Sequence, residues 1–150
     1  MAYKSFQGKW RVFGDEPTIS ILPTGLICFN KVCYERFVGS HHPVKDKPAY
    51  QYVKLYYDPE TKKIAFAFLM EKTGEFVFPI RLAKTGLLAI ISGKAFLSYF
   101  GIKYEEKARS YPVHETFLPA SGSGYSRRRV KGIEIHLDEY MTEKIDPTLI

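Results

Sequence analysis

Ile19-Ser-Ile-Leu-Pro-Thr-Gly-Leu-Ile-Cys-Phe-Asn-Lys-Val-Cys-Tyr-Glu-Arg-Phe-Val-Gly39 recurs in degenerate form as Ile80-Arg-Leu-Ala-Lys-Thr-Gly-Leu-Leu-Ala-Ile-Ile-Ser-Gly-Lys-Ala-Phe-Leu-Ser-Tyr-Phe-Gly101. Aligning Gly25 with Gly86 also aligns Ile19 with Ile80, Ile21 with Leu82, Thr24 with Thr85 and Leu26 with Leu87. One inserted residue in the second copy then aligns Asn30 with Ser92, Tyr34 with Phe96, Val38 with Phe100 and Gly39 with Gly101. An internal period of this kind outranks any residue-level reading, because it sets the unit from which the fold is built.

Within the first copy, Ile19 and Ile21 alternate with Thr18 and Ser20, which is the signature of a strand with one buried face. Pro23-Thr24-Gly25 turns the chain, and Leu26-Ile27-Cys28-Phe29 returns as a second strand. Asn30 then caps a short helix over residues 31–38, which Gly39 ends from the position after its last turn. Val32, Cys33, Tyr34, Phe37 and Val38 form the stripe that this helix packs on the hairpin. A second hairpin follows, from Tyr50 to Tyr57 and from Ile64 to Leu69, around a turn opened by Asp58-Pro59. The second copy repeats the plan: a strand from Phe76 to Leu82, a turn at 83–86, a strand from Leu87 to Ile91, and a Ser92-capped helix ended by Gly101. Its closing hairpin joins Tyr111–Leu118 to Val130–Leu137.

The expected architecture is therefore mainly β (α+β) with two short helices, built as tandem ββαββ repeats. An N-terminal arm occupies residues 1–17, the first repeat 18–70, the second 75–137 and a C-terminal tail 138–150. In the arm, Phe6, Trp10, Val12 and Phe13 are expected to cover a sheet edge or core end.

The 150 residues carry a formal charge of +6, with 45% hydrophobic and 15% aromatic residues. This balance suits one globular unit with a polyanionic partner, and the aromatic content suits strands. No apolar run approaches the length of a membrane span or a signal sequence, so a cytoplasmic location without membrane contact is expected. Cys28 and Cys33 are the only cysteines and form no metal or redox motif, so they read as reduced core residues. His41-His42 makes no metal site, because adjacent side chains of an extended segment diverge. His114, Glu115, His136 and Cys33 offer acid–base and nucleophilic groups, yet no pattern joins them; no catalytic residue, cofactor or metal is expected. His114 and His136 are instead expected in cross-strand structural roles.

A hairpin that runs into a capped short helix and then another hairpin resembles the AbrB-like swapped-hairpin regulators, which include MazE-type antitoxins and the tandem-repeat MraZ proteins. The resemblance covers residues 18–137. It implies that the two units interlock into a pseudo-twofold, swapped-hairpin-like β-barrel, as a monomeric pseudo-dimer or a homodimer. It also implies DNA binding and transcriptional regulation. Where the family has Arg or another polar residue after the turn glycine, this chain has Leu26 and Leu87. Asn30 and Ser92 stand where the family commonly has Pro.

Candidate contacts fall into two basic sets. Arg127, Arg128, Arg129 and Lys131 follow the Gly-rich run Ser121-Gly-Ser-Gly124 and read as an arm that clamps phosphates. Lys31, Arg36, Arg81, Lys84 and Lys94 lie on or beside the hairpin–helix units. The function expected is non-enzymatic nucleic-acid binding, with DNA ahead of RNA. The alternatives are a protein-interaction module on the same fold, suggested by Leu26 and Leu87, and a binder of single strands through interleaved aromatic and basic residues.

Overall fold

The computed structural model describes residues 16–39, 50–82, 89–119 and 129–140. The strands are β1 (Thr18–Ile21), β2 (Leu26–Phe29), β3 (Tyr52–Asp58), β4 (Lys63–Leu69), β5 (Val77–Pro79), β6 (Arg81–Leu82), β7 (Ala89–Ser92), β8 (Arg109–Pro112), β9 (His114–Pro119) and β10 (Arg129–His136). Helix α1 (Lys31–Cys33) continues as a π turn, Tyr34–Val38; α2 spans Lys94–Tyr99, and a single 3-10 turn, Leu137–Glu139, follows β10. The protein is mainly β with few, short helices. No helix among the described residues is long and apolar enough to cross a membrane.

The strands form two antiparallel sheets of five, ordered β6-β7-β2-β1-β8 and β5-β3-β4-β10-β9, and neither sheet closes on itself. Alternation builds their inner faces. Ile19 and Ile21 of β1, Ile27 and Phe29 of β2, Val53 and Leu55 of β3, and Ile133 and Ile135 of β10 are all buried in one core. Phe29 of the first sheet meets Phe66 of the second edge to face, with ring centroids 5.6 Å apart. Such a pair adds about 0.5–1.5 kcal/mol to what burial alone contributes.

The two sheets exchange chain at two corners. β5 and β6 are separated by Ile80 alone, and β8 and β9 by Val113 alone, yet each pair divides between the sheets. The single strands expected over 76–82 and 111–118 are thus each split. Pro79 and Pro112 are the last residues of β5 and β8, where a missing N–H ends the ladder and lets the chain leave its sheet. Beyond the first corner, buried Ile80 donates its N–H to the Gln51 carbonyl at 2.9 Å.

Local chemistry shapes the first hairpin as its sequence suggests. The Gly25 N–H bonds the Leu22 carbonyl at 2.9 Å, and Gly25 stands at φ 90°, where a side chain would be strained. Asn30 caps α1 by accepting the Cys33 N–H at 2.9 Å. Two terminal assignments differ from expectation. Gly39 has φ −101°, outside the left-handed region; its N–H closes the π turn on the Tyr34 carbonyl at 2.8 Å. A Cβ there would lie 2.7 Å from the outer end of the Tyr34 ring, so a larger residue would need that side chain to shift. Ser92 does not cap α2, since it is the last residue of β7, opposite Leu26, and Gly93 opens the helix without a side-chain bond. Ser92 is instead held in the ladder opposite Leu26, and Gly93 takes the position that Asn30 holds before α1. Gly101, by contrast, ends α2 in the left-handed conformation at φ 67°.

The turn at 83–88, with Lys84, Gly86 and Leu87, lies outside the described residues, as do the arm through residue 15, His41-His42, and the tail from residue 141. What is described of the tail's start is the 3-10 turn, so no longer helix begins there.

Candidate nucleic-acid interface

The π turn after α1 inserts an additional residue before Gly39, and this turn carries exposed Arg36 beside half-buried Phe37. Both line a groove with Tyr50, Phe68 of β4, Glu115 of β9, and Lys131, Gly132 and Ile133 of β10, enclosing about 390 Å3. Gly132 lies close against the neighbouring strands β4 and β9. A Cβ there would stand 2.6 Å from the Phe66 carbonyl oxygen and 2.8 Å from Leu118.

Arg36 comes from the first sequence copy and Lys131 from the second, so the groove joins members of both basic sets. Lys131 is held across the strand pair by Glu115 at 2.9 Å, with both side chains more than half exposed. An exposed pair of this kind contributes only about 0–1 kcal/mol, so a phosphate can displace the carboxylate at little cost. Phe37, Tyr50 and Phe68 are half-buried against the core where they line the groove, and the cations offer donors for phosphate.

The other sequence candidates are dispersed. Lys31 is exposed at the start of α1, and Arg81 is exposed on β6 opposite Ile90. Lys94 begins α2 and packs on the first turn, where a Cβ on Gly25 would meet Lys94 Cβ at 2.8 Å. Arg127, Arg128 and Lys84 lie outside the described residues, as does the side chain of Arg129. The backbone of Arg129 pairs with Pro119, and Lys131 with Phe117, so this end of the expected arm is strand. Leu26 is half-buried and paired with Ser92 in the sheet.

A second groove lies between α2 and β3, lined by Lys54, Leu55, Tyr56, Tyr57, Glu75, Phe76 and Phe100 and enclosing about 500 Å3. Phe76 sits 5.5, 5.2 and 5.7 Å from the rings of Phe96, Tyr99 and Phe100. Its backbone is left-handed, at φ 53°, a conformation that costs a non-glycine residue about 1–2 kcal/mol. Tyr99 nevertheless remains 71% exposed.

The cysteines are free, as expected. Burial pushes the Cys33 thiol up to about 12, against the opposing charge of Arg36, so it is no nucleophile at neutral pH. Sequence reasoning missed the carboxylate partners of the two late histidines. His114 Nε2 meets Glu139 Oε1 at 2.6 Å, His136 Nε2 meets Glu134 Oε2 at 2.8 Å, and the two rings face each other with centroids 4.6 Å apart. The alternation of β10 puts Glu134 and His136 on one face and so signals that pair; only the register of β9 brings His114 opposite Glu134.

No family model, curated protein or solved structure matches this chain.

Proposed function

We propose that this chain is a non-enzymatic nucleic-acid-binding protein that holds its ligand in the groove between α1 and the β9–β10 hairpin. The carrying observation is that Arg36 and Lys131, from different copies of the repeat, line one groove with Phe37, Tyr50 and Phe68. Arg129 lies two residues before Lys131 in the sequence, and the arginine run 127–129 is proposed to add further phosphate donors. The aromatic walls favour an unpaired strand or a locally opened duplex over an intact one, because stacking needs an accessible base face. Leu26 lies within the sheet, which removes the turn-borne DNA contact of the AbrB-like family and transfers binding to the groove.

The same reading includes an interlocked architecture of two ββαββ units with an approximate twofold between β2 and β7. In the repeat alignment Cys28 corresponds to Ala89 and Phe29 to Ile90. The register pairs Cys28 with Ile90 and Phe29 with Ala89, so each pair turns into the other when the copies exchange. β1 of the first unit bonds β8 of the second, and β5 of the second bonds β3 of the first. Arg36 and Phe37, in the turn after α1, line one groove with Lys131 of the other unit, and Phe100, just after α2, lies 5.1 Å from Tyr57 of the first. With the corners at Ile80 and Val113, the strand path runs around the whole core as a pseudo-symmetric barrel.

Binding of labelled single-stranded and duplex DNA and RNA by the full chain at low salt tests this function. The double variant Arg36→Glu/Lys131→Glu should abolish retention, while Lys72→Glu, at an exposed position that does not line the groove, should not. Equal binding by the wild type and the double variant overturns the proposal. A second reading, a protein-docking module, is favoured by one observation: the exposed aromatic surface of Tyr99 and Phe100, backed by half-buried Phe76.

A further inference from the structure

We propose that His114, His136 and Glu139 form a binding site for a first-row divalent transition metal ion, separate from the groove. One potential ligand atom from each of the three residues lies within 4.8 Å of the others. Two imidazoles and a carboxylate, with a coordination position left for water, are a donor set suited to zinc or iron(II) and poorly suited to magnesium or calcium.

The surroundings favour this geometry. The β9–β10 register sets His114 opposite Glu134, and strand alternation brings His136 to the same outer face. His136 Nε2 is engaged by Glu134 at 2.8 Å, which leaves Nδ1 to meet a metal and makes Glu134 the orienting carboxylate behind the ligand. Glu134 is held in turn by Lys63, whose Nζ lies 3.6 Å from Oε2 and offsets its charge. Glu139 then supplies the ligating carboxylate. Its oxygen now lies 2.6 Å from His114 Nε2. A metal with bonds of about 2.0–2.2 Å to nitrogen and oxygen in tetrahedral geometry needs roughly 3.3–3.5 Å between those atoms. The separation must widen by somewhat under 1 Å, and Glu139, on an exposed single turn, has room to swing. Bound metal would clip β9, β10 and the following turn together at the point where the chain leaves the sheet.

The experiment uses the full chain, stripped by chelator and titrated with Zn2+, while the ring resonances of its four histidines are followed by NMR. The expected result is saturation at one equivalent, with the His114 and His136 rings shifting and those of His41 and His42 unmoved. Mg2+ at the same concentration should move none of them. Glu134→Gln should weaken Zn2+ binding by about tenfold without changing its stoichiometry. No shift at several equivalents of Zn2+, or shifts confined to His41 and His42, overturns the site. The wild-type spectra decide the outcome even if a variant fails to fold.

Discussion

Asn30 and Thr18 are joined twice. The Asn30 Oδ1 accepts the Thr18 N–H at 3.0 Å, and the Thr18 carbonyl accepts the Asn30 N–H at 3.0 Å. The same Oδ1 caps α1 through Cys33, and Nδ2 donates to the Glu16 carbonyl at 2.9 Å. One side chain therefore fastens the start of β1 to the start of α1.

Asn30→Ala should destabilise the protein by about 2 kcal/mol, combining a lost cap with a part-buried N–H left unpaired. Asn30→Asp keeps the acceptor and should cost less than half as much. Urea unfolding, read as a change in midpoint at constant slope, measures both; an alanine variant as stable as the wild type would contradict this role.

The two cysteines should differ in reactivity. Cys33 is fully buried with its thiol pushed up to about 12, whereas Cys28 is half-buried and raised by burial to a smaller extent. An aromatic disulfide reagent at pH 8 should modify Cys28 in the folded protein and reach Cys33 only at the rate of unfolding. Two equally fast thiols would mean that the packing beneath α1 is looser than described.

Glu134 should contribute acid-sensitive stability. Burial pushes its carboxyl up, but hydrogen bonds from His136 and Thr116 and the charges of Lys63 and His136 outweigh burial and hold it below its ordinary value of 4.5. A carboxyl depressed in the folded state stabilises the fold above its unfolded value, and that contribution vanishes as pH falls through the folded value. Glu134→Gln should therefore melt at a lower temperature than the wild type at pH 6–7, with the gap closing below about pH 4.5. A gap constant down to pH 3 would show that the charge of Glu134 contributes nothing.

Salt dependence should report the groove directly. If Arg36 and Lys131 each neutralise one phosphate, single charge-removing variants should reduce the slope of log affinity against log salt by about 0.7 for single strands or 0.9 for duplex. Tyr99→Ala should leave that slope unchanged and instead impair capture by a protein partner under the second reading. Slopes unaffected by Arg36→Gln and Lys131→Gln would remove both residues from the interface.

Much of the local structure was legible in order along the chain. Pro23-Thr24-Gly25 specifies its turn through restricted and permissive backbones, and Asn30 its cap through an oxygen that reaches a nearby N–H. The alternation in 52–57 marks its inward residues because successive strand side chains point to opposite faces. Reading Ser92 as a second Asn30 failed, since pairing with Leu26 keeps Ser92 in β7 and Gly93 takes the position before the helix.

What the amino-acid order determined alone was the β-rich class, the first hairpin and its cap, and the reduced state of the cysteines, because these depend on neighbours within a few residues or on burial tendency. Tertiary structure decided the corners at Ile80 and Val113, the groove shared by Arg36 and Lys131, and the approach of the His114 and His136 rings. Each of these depends on which distant strand supplies the next hydrogen-bond ladder, and a slip of one residue in that register turns every side chain to the opposite face.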